Sequence, residues 1–307
     1  MANKRSSTSE RLIDAMVEIA ESIQPCSVRA LAYQLFNRKL IPSMALENTK
    51  KVSRLSVIAR EEGILPWEWI VDSTRQEEST STWADPMAYA HTVQRAYRKN
   101  KWEAQSKHLV VWSEKSTVEG TLRPVLEEYE VPFQVMHGYS GATPVMDAVQ
   151  ANLKRDQDTL ILYVGDYDPS GMGMSQADLP RRLARYSSSD PSDKDWILEQ
   201  VQDMLNRSGI EIRRIALTKA HTHLLGEAVR FPTSDKTNDT RCEWFEQNFG
   251  RWCWELDALS PNQLRECVKQ AIHAELDHES WDRYIEVEKV ERQAIADTCK
   301  AWAGIFG

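Results

Sequence analysis

The run Asp158-Thr-Leu-Ile-Leu-Tyr-Val-Gly-Asp166-Tyr-Asp168-Pro-Ser-Gly171 sets the tightest limit on what this chain can fold into. A short apolar segment without polar alternation is how a strand covered on both faces of a parallel sheet reads. It ends in carboxylates and turn residues, so acid sits at the strand's exit, where open α/β sheets bind ligands. Gly165, Pro169 and Gly171 supply the bends, and Asp166 and Asp168, two residues apart, project to one side of an extended backbone. Hard oxygen donors so placed suit Mg2+, with Mn2+ as a substitute. A solvated turn would also accommodate two acids, and the neighbouring segments decide between the two readings.

About fifty residues earlier a second apolar run, His108-Leu-Val-Val-Trp-Ser113, ends on Glu114 and Lys115 and is followed by the helix-like STVEGTLRPVLEEYE. Between the two runs, VPFQVMHGYSG reads as a third strand meeting a glycine turn. The result is strand, helix, strand, helix, strand, with acids at two strand exits. This pattern resembles the Toprim domain of topoisomerases, primases and some nucleases, which carries one Glu after its first strand and a DxD after a later one. The resemblance implies a Rossmann-like parallel sheet and makes Glu114, Asp166 and Asp168 the metal-binding carboxylates.

At 307 residues the chain has room for two or three structural units. No apolar run approaches a membrane span, and the polar start MANKRSSTSER lacks the core of a signal peptide, so a cytoplasmic, nucleoid-associated protein is expected. Five scattered cysteines without a CxxC suggest neither a disulfide framework nor a zinc knuckle. The net charge of −8 is unevenly spread. Residues 1–60 hold ten Lys or Arg against five Asp or Glu, a local +5 that suits a phosphate backbone.

That basic segment reads as three helices: Ser9 to Ile23, Val28 to about Lys39 with Ser27 as N-cap, and Ala45 to Glu62 stopped by Gly63. With the β-like tail ILPWEWIVDSTR they suggest a winged helix-turn-helix over residues 1–75, with Lys50, Lys51, Arg54 and, farther on, Lys115 as DNA-binding candidates. On the second helix Val28, Leu31, Ala32 and Leu35 form the buried face, and Arg29 and Tyr33 lie one turn apart on its shoulder. Spacing alone fits a packing tyrosine. The segment VRALAYQLF, however, resembles the Arg-x-hydrophobic-aromatic-Tyr stretch in the winged helix of type IIB topoisomerase A subunits and their meiotic double-strand-break relatives, with Ala32 in place of the usual aromatic residue. The likeness extends to Lys236, Asp239 and Arg241 and to Glu255-Leu-Asp257-Ala-Leu259 before Ser260-Pro261.

The resemblance implies that Tyr33, assisted by Arg29, attacks a phosphate of double-stranded DNA to leave a 5′-phosphotyrosyl link, with Mg2+ at the three carboxylates. It also implies a homodimer in which Tyr33 of one chain approaches the metal cluster of the other, and a separate ATPase subunit for strand passage, since the chain has no P-loop. Residues 76–106 are expected to form a linker and connecting helix, whose Arg95, Arg98, Lys99 and Lys101 could track DNA, residues 107–275 the Toprim part, and 276–307 a C-terminal helix. YSSSDPSDKD reads as a flexible insertion. Two other functions fit the sequence: a Toprim nuclease that activates water, and a non-catalytic DNA-binding module. His221 and His223 read as loop or helix-start residues, and GYSG is one residue short of a serine-nucleophile elbow.

Overall fold

The computed structural model describes residues 7–70, 81–136, 142–189, 197–236 and 238–306. In chain order the main elements are α1 (Ser7–Ile23), α2 (Val28–Asn37), α3 (Leu46–Glu61), α4 (Pro86–Ala96), β1 (Lys107–Ser113), α5 (Glu119–Glu128), β2 (Phe133–Val135), α6 (Ala142–Asn152), β3 (Asp158–Val164) and α7 (Pro169–Gly173). Then come α8 (Leu179–Ser187), α9 (Leu198–Ser208), β4 (Ile210–Ala216), α10 (Lys219–Leu225), β5 (Phe231–Pro232), α11 (Cys242–Phe249), β6 (Trp252–Cys253), α12 (Pro261–His273) and α13 (His278–Phe306). The chain forms two compact units, one of residues 1–75 and 109–272, the other of 76–108 and 273–307.

In the first unit, α1, α2 and α3 enclose their own core of Leu12, Met16, Ile19, Leu31, Leu35, Val52 and Leu55. Ser27 caps α2 as its sequence suggests, its side chain accepting from the Ala30 amide. The β-like tail does not form a strand in the described residues. Pro66 starts a 3₁₀ turn at Trp67–Trp69, and Ile70 makes one parallel bridge to Cys26. Residues 71–75, where a wing would continue, lie outside the described residues.

The sheet of this unit has four strands in the order β2-β1-β3-β4, with β2 parallel to β1 and β4 parallel to β3. From Thr159 to Val164 every residue of β3 is buried, as its unbroken apolar pattern requires. Ile161 and Tyr163 pack with α6, α8 and α9 through Val145, Val149, Leu183 and Val201. Because the chain leaves β1 toward β2 but leaves β3 toward β4, the order reverses between β1 and β3. A crevice at the carboxyl ends of these two strands is the place such a sheet offers a ligand. Glu114 follows one strand and Asp166 the other.

The second unit pairs α4 with the 29-residue α13. Lys99 and Lys101, which could face DNA or solvent, are held by Glu291 at 3.0 Å and Glu288 at 2.9 Å. Arg95 lines a groove of about 970 Å³ with His91, Lys289 and Arg292. The composition of the C-terminal segment suits packing within the chain or between chains, and Trp281 and Cys299 are buried within the chain. The linker residues 76–80, the GYSG turn and most of the Ser/Asp insertion lie outside the described residues. Among the described residues no helix is long and apolar enough to cross a membrane.

Candidate active site

Two backbone features bring Asp166 and Asp168 to the switch point. Asp168 is the N-cap of α7, its Oδ1 accepting the Gly171 amide at 2.7 Å, and Pro169 occupies the first turn of the helix. Gly171 lies so close to the loop that a Cβ there would sit 2.3 Å from the Asp166 carbonyl oxygen. Gly171→Ala should therefore push the acidic loop out of place and lower stability by about 1–3 kcal/mol, read as a fall in thermal midpoint.

Arg214, on β4, ties the loop from below. Its Nη2 donates to the carbonyls of Asp166 and, at 2.9 Å, Gly165; Nη1 donates to Gly171 at 3.2 Å and to Ser175 Oγ at 3.0 Å; Nε donates to Leu217 at 2.7 Å. The guanidinium thus supplies donors to the Asp166 and Leu217 carbonyls and adds to those that Gly165 receives from the Leu217 amide and Gly171 from Ser175 Oγ. Burial holds its pKa below the usual value despite the acids around it.

The three carboxylates differ in what they touch. Asp166 is 5% exposed, and its Oδ1 accepts from the Leu256 amide at 2.6 Å and from Lys115 Nζ at 2.8 Å. Asp168 is 1% exposed, and its Oδ2 pairs with Lys236 Nζ at 2.8 Å. Glu114 has no hydrogen bond or ion pair among the described residues. Burial and the charges of Asp166 and Asp168 push its pKa up to about 7. A carboxyl whose pKa is higher in the folded chain binds its proton more tightly there than when unfolded. Stability should therefore fall as pH rises from about 4.5 to about 7 and level off above that. Thermal unfolding in chelator across this range should show the decline, and Glu114→Gln should make it shallower, Asp166, also raised by burial, retaining a share.

As they stand, these acids are not arranged to hold a metal: among the described residues no group of three or more His, Cys, Asp or Glu could do so. The donor type suits Mg2+, but Lys115 and Lys236 occupy the aspartate oxygens in its place. Only the chemistry of the donors fits, and among the described residues Glu114 makes no ion pair.

Tyr33 and Arg29 join this cluster from α2. Tyr33 is 6% exposed, and its hydroxyl donates to Glu255 Oε2 at 2.7 Å. Arg29 donates through Nη2 to the same oxygen and through Nε to Asp257 Oδ2 at 3.1 Å. Lys115 completes the chain, with Nζ 3.1 Å from Asp257, 3.9 Å from Glu255 and 2.8 Å from Asp166. One polar network thus runs from Tyr33 through Glu255 and Lys115 to Asp166 within a single chain. Sequence reasoning placed a cation beside the tyrosine to favour its ionised form, but the hydroxyl's nearest partner is a carboxylate. Burial and Glu255 raise the Tyr33 pKa above its ordinary value, against a smaller opposing effect of Arg29. Burial alone would raise Glu255 too, yet Lys115, the Tyr33 hydroxyl and Arg29 hold it below the usual carboxylate range.

Glu255, Asp257 and Lys236 carry the family resemblance in the sequence, but nothing in their spacing indicates what they touch. Lys50 and Arg54 are exposed and Lys51 half-buried on α3, and none makes an ion pair among the described residues. His221 sits at the start of α10 in a capping box with Thr218, as read from the sequence. Its Nε2 also lies 3.2 Å from Cys267 Sγ, a contact between residues 46 apart that no local pattern reveals. Comparison with known protein families, with curated proteins and with solved structures finds no match to this chain.

Proposed function

We propose that the chain cleaves DNA at the β1/β3 switch point, with Tyr33 as the attacking group and Glu255 as its base. The observation that carries this reading is the network itself: a tyrosine hydroxyl on a carboxylate, 222 residues away in sequence, that connects through one lysine to a buried acid pair. Glu255, held ionised by its cationic neighbours, takes the hydroxyl proton as Tyr33 Oη bonds to a backbone phosphorus. The P–O3′ bond breaks, the 3′ oxygen takes a proton from solvent, and the 5′ phosphate remains on Tyr33. Arg29, 43% exposed at its side chain, stands beside the hydroxyl where it can hold a phosphate oxygen. On the family resemblance Glu114, Asp166 and Asp168 would be the residues to hold Mg2+, which would offset charge on the reacting phosphate.

The resemblance to type IIB topoisomerase A subunits supports this reading, as does the helical module with its basic third helix, which we take to be a winged helix that binds duplex DNA. One chain holds the tyrosine and its acids together, so a single chain suffices to cut one strand. A cut through both strands needs two chains, and we expect a homodimer on DNA; strand passage would need a separate ATPase.

One observation favours a second reading. A nearly buried tyrosine whose proton is held more firmly than usual is also what a fixed packing contact produces, and the acid cluster would then activate water. Supercoiled plasmid incubated with the protein and Mg2+ or Mn2+ separates the two. The main reading predicts nicked or linear DNA that enters a gel only after proteinase digestion. Metal-dependent cleavage whose products need no digestion would establish the second reading, and binding without cleavage under any condition would leave only a DNA-binding module.

A further inference from the structure

The polar network that joins Tyr33 to Asp166 draws on three stretches of chain far apart in sequence. Arg29 and Tyr33 come from α2, Lys115 from the turn between β1 and α5, and Glu255 and Asp257 from the residues just ahead of α12. Side chains that act together need their backbones held to within about half an ångström of one another. Apolar packing is not directional enough to set that register, and α1, α2 and α3 in any case enclose a core of their own.

Arg265, on α12, ties all three stretches together. Its Nη2 donates to the carbonyls of Ile23 at 2.7 Å and Gln24 at 3.2 Å and to Asn262 Oδ1 at 2.8 Å. Its Nη1 donates to the carbonyls of Pro25 and Thr121, each at 3.1 Å. Ile23, Gln24 and Pro25 form the turn that leads into α2, and Thr121 lies in the first turn of α5, shortly after Lys115. Asn262 strengthens the hold on the same turn, its Nδ2 donating to the Ser22 carbonyl at 3.0 Å. Among the described residues Arg265 makes no ion pair, so its work is done through these carbonyls and not through its charge. A planar fork of donors reaches carbonyls on two sides at once, as an ammonium cannot.

We infer that Arg265 is a positioning residue for Tyr33: it sets the register of α2 against the segment that carries Glu255 and so keeps the hydroxyl on its base while touching neither. Its place in catalysis rests on the proposed reading of Tyr33 as the attacking group. Its hold on the Tyr33–Glu255 contact does not, and the two are tested separately.

The first measurement compares Arg265→Met with the parent, below the thermal midpoint of both, for cleavage of a duplex and for binding of the same duplex with non-cleavable phosphate linkages. Cleavage at saturating DNA should fall by about tenfold to a hundredfold, the cost of a misplacement on the ångström scale, while the dissociation constant stays within about twofold. The second needs no DNA. Denaturation midpoints of Tyr33→Phe, Arg265→Met and the double variant close a cycle, and because no hydrogen bond joins the two residues, independent roles give shifts that add. If Arg265 places the hydroxyl, the shift caused by Tyr33→Phe should shrink to about half or less in the Arg265→Met background. Arg265→Lys keeps the charge without the fork and should behave as the Met variant. Asn262→Ala, which loosens the same turn, replaces both with the same expected directions if neither folds. A folded Arg265→Met protein that cuts at the parent rate overturns the inference, as do additive shifts. A rate and an affinity that fall together also overturn it and assign Arg265 to the fold alone. Coupled shifts in a chain that cuts no DNA would keep the positioning and refute the reaction. Covalent cleavage by Tyr33 with additive shifts and an unchanged rate would do the reverse.

Discussion

Tyr33→Phe should lower DNA cleavage by about three orders of magnitude or more, as expected when the attacking atom itself is removed. DNA binding should survive, because it draws on the basic face of the helical module and not on the hydroxyl. From sequence alone this substitution looks nearly neutral for stability. The structure adds a cost, since the lost hydroxyl is a 2.7 Å donor to Glu255, an ionised group. A loss of about 1–2 kcal/mol is expected, softened by the Arg29 contact that remains on the same carboxylate. Measuring cleavage rate and thermal midpoint on one preparation separates a chemical effect from unfolding. Cleavage at the parent rate would remove Tyr33 from the reaction.

Arg214→Met should have the largest effect on the fold of the site. The substitution leaves the carbonyls of Gly165, Asp166, Gly171 and Leu217 without these donors, beneath a cluster of negative charge that has also lost one of its neighbouring cations. A destabilisation of about 2–4 kcal/mol follows, because the Asp166 and Leu217 carbonyls lose this donor while Gly165 keeps the Leu217 amide and Gly171 keeps Ser175 Oγ. Lysine cannot restore the arrangement, because one ammonium cannot reach both sides of the loop as a planar guanidinium does. Denaturant unfolding of Arg214→Met and Arg214→Lys should therefore show a large loss for both, and a midpoint within error of the parent would show that the loop holds itself.

The parts of this architecture set by local rules were open to reading from the sequence. An unbroken apolar run marked β3, acids at two strand exits marked Glu114 and the aspartates, and helical spacing put Tyr33 and Arg29 on the shoulder of α2. What was not legible depends on contacts between distant segments. Glu255 is 222 residues from Tyr33, and Lys236 is 68 residues from Asp168, so no periodicity connects them. Arg214 did leave a trace. Adjacent Arg213 and Arg214 in a strand point to opposite faces, and a strand beside β3 has little room for two solvated arginines. Arg213 is satisfied by Glu211 two residues earlier on its own strand, and Arg214 by the acidic loop. The β-like tail departs from a strand at Trp67–Trp69 for a local reason: alternating aromatic residues suggested a strand, but Pro66 favours the turn adopted there, and residues 71–75 lie outside the described residues.

If Tyr33 becomes covalently joined to DNA, the position of an end label reveals it. A duplex labelled at either the 3′ or the 5′ end of one strand is incubated with the protein and Mg2+, stopped in denaturant and run without proteinase. Attack by Tyr33 leaves the protein on a 5′ phosphate, so the 3′-labelled fragment should migrate with the protein and the 5′-labelled fragment should run free with a 3′ hydroxyl. Both labels running free from a cleaved duplex would contradict the account and assign the cut to water.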